Sequence, residues 1–449
     1  MVEALLAGSI LSLLALIVFG GLFYGKEATS LAGARARATF LAEEGLEAAR
    51  NIRDNSYTDL GVGSQGLVIL GNEWILSGSS DVTEGFTRQI AVASVDATRK
   101  DVTSTVTWQQ NPARTGNVTL TTRFTNWIQS VGGWANPFVQ ASLDLPGTTD
   151  GLKVQAQGNY AYVVRNDGTP DFVVIDVSNA SSPSIAGSLS LIDAPTNIFV
   201  SGDYAYVSSR SDLQELQIIN ISNPSLPIQV GFFNASGSAD ALGVYVVGTT
   251  VYLTRASSSA DEFLIINAST PILPTLVGSL DLGATGNEVF ISGSHAYVAS
   301  AHDFQELQVV SVSTPSTPAI VASHDFTGNQ DSITIAGFGS TILLGRTANV
   351  NIFDVSTPTA PSIISSYGVA GNVNDIALNV GGADTFAYTV TANSSLEFEA
   401  VDITNTSSPT SLGGINLTGL NGVAYSSSLN RVFAVGESDT EEFLVIAPQ

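Results

Sequence analysis

One short phrase recurs through the last two thirds of this 449-residue chain and limits its folds more than any other feature. FVVIDVSNASSP begins at Phe172, LQIINISNPSLP at Leu216, FLIINASTPILP at Phe263, LQVVSVSTPSTP at Leu307, VNIFDVSTPTAP at Val350, FEAVDITNTSSP at Phe398, and a truncated FLVIAPQ at Phe443. The steps are 44, 47, 44, 43, 48 and 45 residues. A second phrase precedes each: NYAYVV ending at Val164, DYAYVS at Ser208, TVYLT at Thr254, HAYVA at Ala299, TILLG at Gly345, FAYTV at Val390 and RVFAV at Val435. Each unit holds about four short runs rich in β-branched and aromatic residues, separated by turn residues, with almost no helical periodicity. A period of 40–50 residues with four strands is that of a propeller blade, and helical solenoids are excluded. Seven copies predict seven blades. The final copy stops before its fourth strand, and PFVQASLDLP from Pro137 parallels PSIAGSLSL from Pro183. A strand over 137–145 is therefore expected to complete the last blade and close the ring, leaving no sheet edge open.

The unit resembles the LVIVD repeat, a β-propeller repeat family of bacterial and archaeal surface proteins, with VVIDVS and AYV carrying the match. That resemblance implies architecture and display more than any reaction.

The N-terminal part is different. From Ala4 to Tyr24 there are 21 residues without a charge, the length of a membrane-crossing helix. Lys26 to Arg53 is rich in Ala, Glu and Arg, so one long helix over 1–53 is expected, apolar over 4–24 and amphipathic over 26–53. Adjacent Gly20 and Gly21 are expected to permit a bend or local melting between the halves. Short extended segments follow at Leu67, Trp74, Phe86, Asp101 and Asn117, the last three alternating in period two as half-buried antiparallel strands do. They predict a small antiparallel sheet over 54–130. The segment 131–136, with Gly132 and Gly133 as its hinge, is read as a short linker to a propeller over 137–449, and Trp134 is expected to pack at the junction. The expected fold class is thus an α+β domain, a long apolar helix on a small sheet, followed by an all-β seven-bladed propeller.

The stretches MVEALLAGSILSLLALIVFGGLFYG, AEEGLEAARNIRD, GNEWILSG, FTRQI and VTWQ resemble type IV pilin-like proteins of the prepilin family over roughly residues 1–130. The resemblance implies a helix that waits in the inner membrane, engages the pilus assembly machinery and then packs with copies of itself in a filament core. It also implies that Glu3 pairs with a neighbouring subunit's N-terminal amine, and an ionisable group heading an apolar helix is functional by default. Only Met1 and Val2 precede Glu3, about two residues fewer than the family pattern, so a late start or a trimmed mature form is expected.

Charge separates the two parts. Of 40 acidic and 16 basic residues, positions 1–134 hold 12 and 10, whereas 135–449 hold 28 and 6. A surface so acidic repels phosphate and argues against nucleic acid as a partner. The chain has no cysteine and three histidines, His295, His302 and His324, which excludes disulfides and thiolate chemistry and leaves little for a metal or a catalytic triad. No cofactor, metal or enzymatic activity is expected.

Four arginines, Arg165, Arg210, Arg255 and Arg346, fall at nearly constant repeat phase. They read either as a ring gripping an anionic ligand such as an acidic sugar or, with greater weight, as one ion pair per blade with nearby Asp171, Glu215, Asp261 and Glu262. Acidic loops from Arg165 and from Glu437 lack the ligand spacing of a calcium loop and read as solvated. N-x-S/T sequons at Asn117, Asn179, Asn220, Asn234, Asn267, Asn393, Asn405 and Asn416 are candidate glycosylation sites, several of them in the repeat's own turn. The expected function is a structural subunit of a type IV pilus-like extracellular filament with a propeller displayed for adhesion. The alternatives are a minor tip pilin binding glycan or another cell, and a secretion pseudopilin bearing a membrane-tethered enzyme.

Overall fold

A single helix, α1 (Val2–Asn55), opens the chain. The computed structural model describes residues 2–449 except 56, 71–72, 96–98, 112, 126–132, 329, 382–383, 393–394 and 418. Within α1 it leaves out the side chains of 2–12, 15, 20, 23–24, 27–28, 30 and 55. The helix runs unbroken through Gly20 and Gly21. Cooperative propagation along 54 residues outweighs the penalty of about 1 kcal/mol per glycine.

The C-terminal half of α1 has a buried face. Leu41, Ala42, Ala48, Ala49 and Ile52 are buried, a spacing that puts them on one side of a helix. They cover an antiparallel sheet of β1 (Gly63–Leu70), β2 (Glu73–Ser77), β3 (Asp81–Thr83), β4 (Phe86–Ser94), β5 (Arg99–Asn111) and β6 (Arg114–Thr125), ordered β2-β1-β4-β5-β6 with β3 on β4. Its core is Ile90, Val92, Val102, Val106, Trp108 and Phe124. Helix and sheet approach so closely that a Cβ on Gly45 would stand 2.5 Å from Ser104 Oγ, which only glycine permits. Buried Arg88 fastens the two layers, donating to Leu41 O at 3.2 Å, Glu44 at 2.8 Å and Asp81 at 2.9 Å.

The expected α+β class with a long apolar helix is corrected by this structure. Strands make up about half of the chain, and among the described residues no helix is long and apolar enough to cross a membrane. The well-packed part of α1 is its polar, alanine-rich half, which owes its place to the sheet.

The chain divides into two compact units, residues 1–129 and 130–449. The second has a β-propeller-type fold built of four-stranded antiparallel modules. Blade 1 comprises Gly151–Gln157, Tyr160–Arg165, Phe172–Asp176 and Ser184–Leu189, and three more blades repeat it to His324. Blades 5 and 6 merge into one six-stranded sheet because Thr341–Asp354 and Ser362–Asn379 each run through two strand positions. Blade 7 is Leu420–Ser426, Arg431–Gly436 and Phe443–Ala447, with Phe138–Leu143 as its outer strand, registered Phe443↔Leu143 to Ala447↔Phe138. The first strands of successive blades neighbour one another in a closed ring, Leu420–Ser426 meeting Gly151–Gln157. The hairpin after each of the first five inner strands turns on a glycine with φ between 55° and 61°, a conformation that costs glycine nothing.

Trp134 packs within the second unit. It is 1% exposed inside the second unit, its ring 4.6 Å from Tyr388 and 6.2 Å from Phe398. The chain at 134–135 lies so close to the outer strand of blade 6 that a Cβ on Gly413 would meet Ala135 O at 2.4 Å. A large apolar ring gains more from that core than from a solvated linker.

Candidate functional site: the ring across the propeller tunnel

Every inner strand carries a bulge at the same place. The register slips between Gly151 and Lys153, Pro195 and Asn197, Ala241 and Gly243, Gly286 and Glu288, Ser332 and Thr334, Val373 and Asp375, and Leu420 and Gly422. A bulge re-aims two consecutive side chains. In four blades the first of the pair fastens the wall: Thr196 Oγ1 donates to Ala241 O at 2.6 Å, Asn287 Nδ2 to Ser332 O at 2.8 Å, Asn374 Nδ2 to Leu420 O at 2.7 Å, and Asn421 Nδ2 to Gly151 O at 3.1 Å. Each bond fastens one blade to the next, and the last closes the circle.

The second residues Lys153, Asn197, Glu288, Thr334 and Asp375 meet one another across the tunnel, and blades 3 and 7 carry Gly243 and Gly422 at that position. Lys153 reaches Asp375 at 2.9 Å, Asn374 O at 3.2 Å and Glu288 at 3.7 Å. Glu288 accepts from Asn197 Nδ2 at 3.1 Å and from Ile335 N at 3.0 Å, and also from Thr334 Oγ1. Asp375 accepts from Val423 N at 2.9 Å. Side chains of blades 1, 2, 4, 5 and 6 thus form one connected network across the axis. Burial alone would push the Lys153 ammonium down, but Asp375 and Glu288 together hold it above its ordinary value. Burial raises the Asp375 carboxyl, with Glu288 adding to the rise and Lys153 opposing it. With two acids and one base, the network carries one negative charge in excess when all three are ionised.

The network separates two hollows. One, about 420 Å³, is lined by Thr196, Asn197, Arg210, Asn287, Asp331 and Asn374. The other, about 230 Å³, lies past the ring along the inner strands and is lined by Gln155, Phe199, Tyr245, Phe290, Ala377 and Tyr425, among others.

The arginines expected to form a second ring divide. Arg165 is fully buried and donates to the carbonyls of Pro146 at 2.7 Å, Thr149 at 2.8 Å and Pro170 at 3.1 Å. Arg255 is fully buried on Ser236 O at 3.0 Å and Ala239 O at 3.3 Å. Arg346 donates to Gln330 O at 3.0 Å and lies 3.8 Å over the Phe326 ring. All three clamp loops by their backbone carbonyls. The carboxylate of Glu442, 4.0 Å from Arg165, comes from the adjoining blade, so the expected pair within each blade is corrected. Arg210 is one residue out of phase, since Ser209 occupies the clamping position; it is exposed at the mouth of the larger hollow.

The acids have their own repeated task. Asp171, Glu215, Glu262, Glu306 and Glu442 are buried and accept the backbone N–H of Leu191, Ala235, Leu282, Phe326 and Leu145 at 2.7–3.0 Å. Burial raises the carboxyls of Asp171 and Glu215. Asp261 instead pairs with Ser279 Oγ.

The three histidines do not converge on one site. His295 sits beside Ser294 Oγ at 3.3 Å, His302 accepts from Phe304 N at 3.1 Å, and His324 packs edge-on against Phe326 and Phe353 and is lowered by burial. Among the described residues no group of three or more His, Cys, Asp or Glu could hold a metal ion.

Most sequon asparagines are exposed and serve turns. Asn179, Asn220, Asn267 and Asn405 accept from the backbone N–H two residues on, a bond that Asp176, Asp354 and Asp402 make as well. Asn117, Asn234 and Asn416 are exposed. Asn393 and the side chains of Glu3 and Gly20 lie outside the described residues, and Gly21 is exposed.

The ring itself escapes a reading of the repeat phrases, which belong to the second and third strands. One compositional signal pointed to it: Lys153 is the only lysine of residues 135–449.

Three segments, 146–190, 195–235 and 284–325, match the LVIVD repeat. No curated protein matches the sequence. Among solved structures, the crystal structure of the Saccharomyces cerevisiae Sqt1 is similar at 9% identity and a TM-score of 0.47, over 67% of this chain and 84% of that one.

Proposed function

We propose that the chain is a structural subunit of a type IV pilus-like extracellular filament, in which copies associate through the first unit and each copy displays its propeller. One observation carries the reading. In α1, Leu13, Leu14, Leu16, Ile17, Val18, Phe19 and Leu22 are each 53–72% exposed in the single chain. At 100° per residue these positions point to all sides, and large apolar side chains exposed on every side call for a partner surface. Several copies packed about one another supply it. The pilin resemblance of residues 1–130 supports the same reading and assigns Glu3 to register neighbouring copies. The charge distribution suits it too: an excess of 22 acids on each displayed propeller keeps a decorated filament soluble and resists bundling.

Electron microscopy of material shed from cells producing the full chain tests the proposal. Filaments containing this polypeptide and bearing outer lobes are expected; filaments without it, or thin ones without lobes, overturn it. The two hollows of the propeller favour one narrower variant, a tip subunit that uses them in adhesion. Immunogold label confined to filament ends would select that variant.

A further inference from the structure

The smaller hollow is unevenly built. Two residues past the tunnel ring, blades 2, 3 and 4 place Phe199, Tyr245 and Phe290. Their rings form a continuous arc, with centroids 4.6 Å apart between Phe199 and Tyr245 and 5.6 Å apart between Tyr245 and Phe290. At the same position blades 5, 6 and 7 carry only Ala336, Ala377 and Ala424, and blade 1 carries Gln155. All seven line the hollow, together with Tyr425. The space of about 230 Å³ exists because rings occupy one side and methyl groups the other. Its floor is the network of Lys153, Glu288 and Asp375, two carboxyls beside one ammonium.

We propose that this chamber binds a small organic cation, an alkylammonium group. Three features select that chemistry. The faces of the aromatic arc carry negative quadrupole potential and attract a cation within about 6 Å. The floor sets two carboxyls, Glu288 and Asp375, against the one ammonium of Lys153, a balance that attracts a positive group and disfavours an anion. The surrounding unit is strongly acidic, which raises the local concentration of cations. A bare metal ion is disfavoured because the walls are rings and methyls, not oxygens. A sugar is disfavoured because those walls offer few partners for its outward hydroxyls. The volume lies below the range of about 300–1,000 Å³ for drug-sized ligands, so the ligand is small. The inference is independent of whether copies assemble.

The experiment titrates the full-length protein with choline, with its neutral carbon isostere 3,3-dimethylbutan-1-ol, and with glucose, by calorimetry and ligand-observed NMR. Saturable choline binding is expected, at least about tenfold tighter than the isostere, because only the charge differs. Ala377→Phe places a ring at the position where blades 2, 3 and 4 already hold one; it should fill the chamber and abolish binding while leaving the thermal midpoint unchanged or higher. Tyr245→Leu should weaken binding about tenfold. Absence of saturable choline binding overturns the proposal. So does equal binding of the isostere, tighter binding of glucose, or full binding by folded Ala377→Phe.

Discussion

Lys153 on blade 1 and Asp375 on blade 6 meet at 2.9 Å across the propeller tunnel, joining strands 222 residues apart in sequence. Replacing Lys153 by Met would leave Asp375 and Glu288 as largely buried carboxylates without a cation. Removal of one partner of such a pair costs about 3–5 kcal/mol. Urea unfolding of Lys153→Met should show that loss, and Lys153→Met with Asp375→Leu should recover most of it. A single variant as stable as the parent would show that the crossing contributes nothing.

Arg255 and Arg210 should behave in opposite ways. Arg255→Met abandons the carbonyls of Ser236 and Ala239; the latter bond is buried, and a buried acceptor left without a donor costs about 1–3 kcal/mol, so the thermal midpoint should fall clearly. Arg210→Ala removes an exposed side chain and should stay within about 0.5 kcal/mol of the parent. Equal effects would contradict the division between clamping arginines and the one at the mouth.

Stability should fall from mildly acidic to alkaline pH. Burial raises the carboxyls of Asp171, Glu215, Asp375 and Glu397. A carboxyl raised on folding keeps a proton that the unfolded chain has released. Its contribution is therefore complete below the ordinary value of about 4 and is lost as pH rises through the folded value. Exposed Asp176 and Asp354, lowered by their bonds to Ser178 and Ser356, act in the opposite sense and weaken the fold as pH drops below that value. Calorimetric scans should place the highest midpoint just above the ordinary carboxylate range. Glu215→Gln should flatten the fall in stability above the ordinary carboxylate range, and an unchanged slope there would exclude Glu215 as a source.

Trp134→Ala should cost about 3–5 kcal/mol, the range for truncating a buried aromatic ring, because it empties the space against Tyr388 and Phe398. A loss under about 1 kcal/mol, the scale of a surface change, would return Trp134 to the linker.

Glu3→Ala should abolish or sharply reduce filament assembly while the circular dichroism of the soluble units stays unchanged. Normal filaments from this variant would remove the role that the pilin resemblance assigns to Glu3.

What could be read in advance depends on where the repeat keeps its signal. The AYV and VIDVS phrases occupy Tyr160–Arg165 and Phe172–Asp176 and their equivalents, buried on both faces, so packing holds them to near-constant composition. The inner strands vary from Lys153 to Gly243 at one position, because a bulge turns that side chain into the tunnel, where each blade meets a different neighbour. A bulge leaves no mark in composition, and the partnership of Lys153, Glu288 and Asp375 spans three blades. The arginine phase was visible, but the slip of one residue at Arg210 exchanges a buried end of a strand for an exposed loop. The sheet of the first unit was legible from alternation in Phe86–Ser94 and Arg99–Asn111, whereas the close approach at Gly45 depends on a partner 59 residues away, Ser104.

The pairing of Phe138–Leu143 with Phe443–Ala447 also has a consequence for synthesis. The strand made first in the propeller must wait for the one made last, 300 residues later from Leu143 to Phe443. At about 5–20 residues per second on the ribosome, that wait is roughly 15–60 s. Throughout it the seventh blade lacks an edge, and any product truncated before Phe443 stays open at both ends. Completion of the ring therefore reports that synthesis has passed Ala447, a check written into the order of the strands.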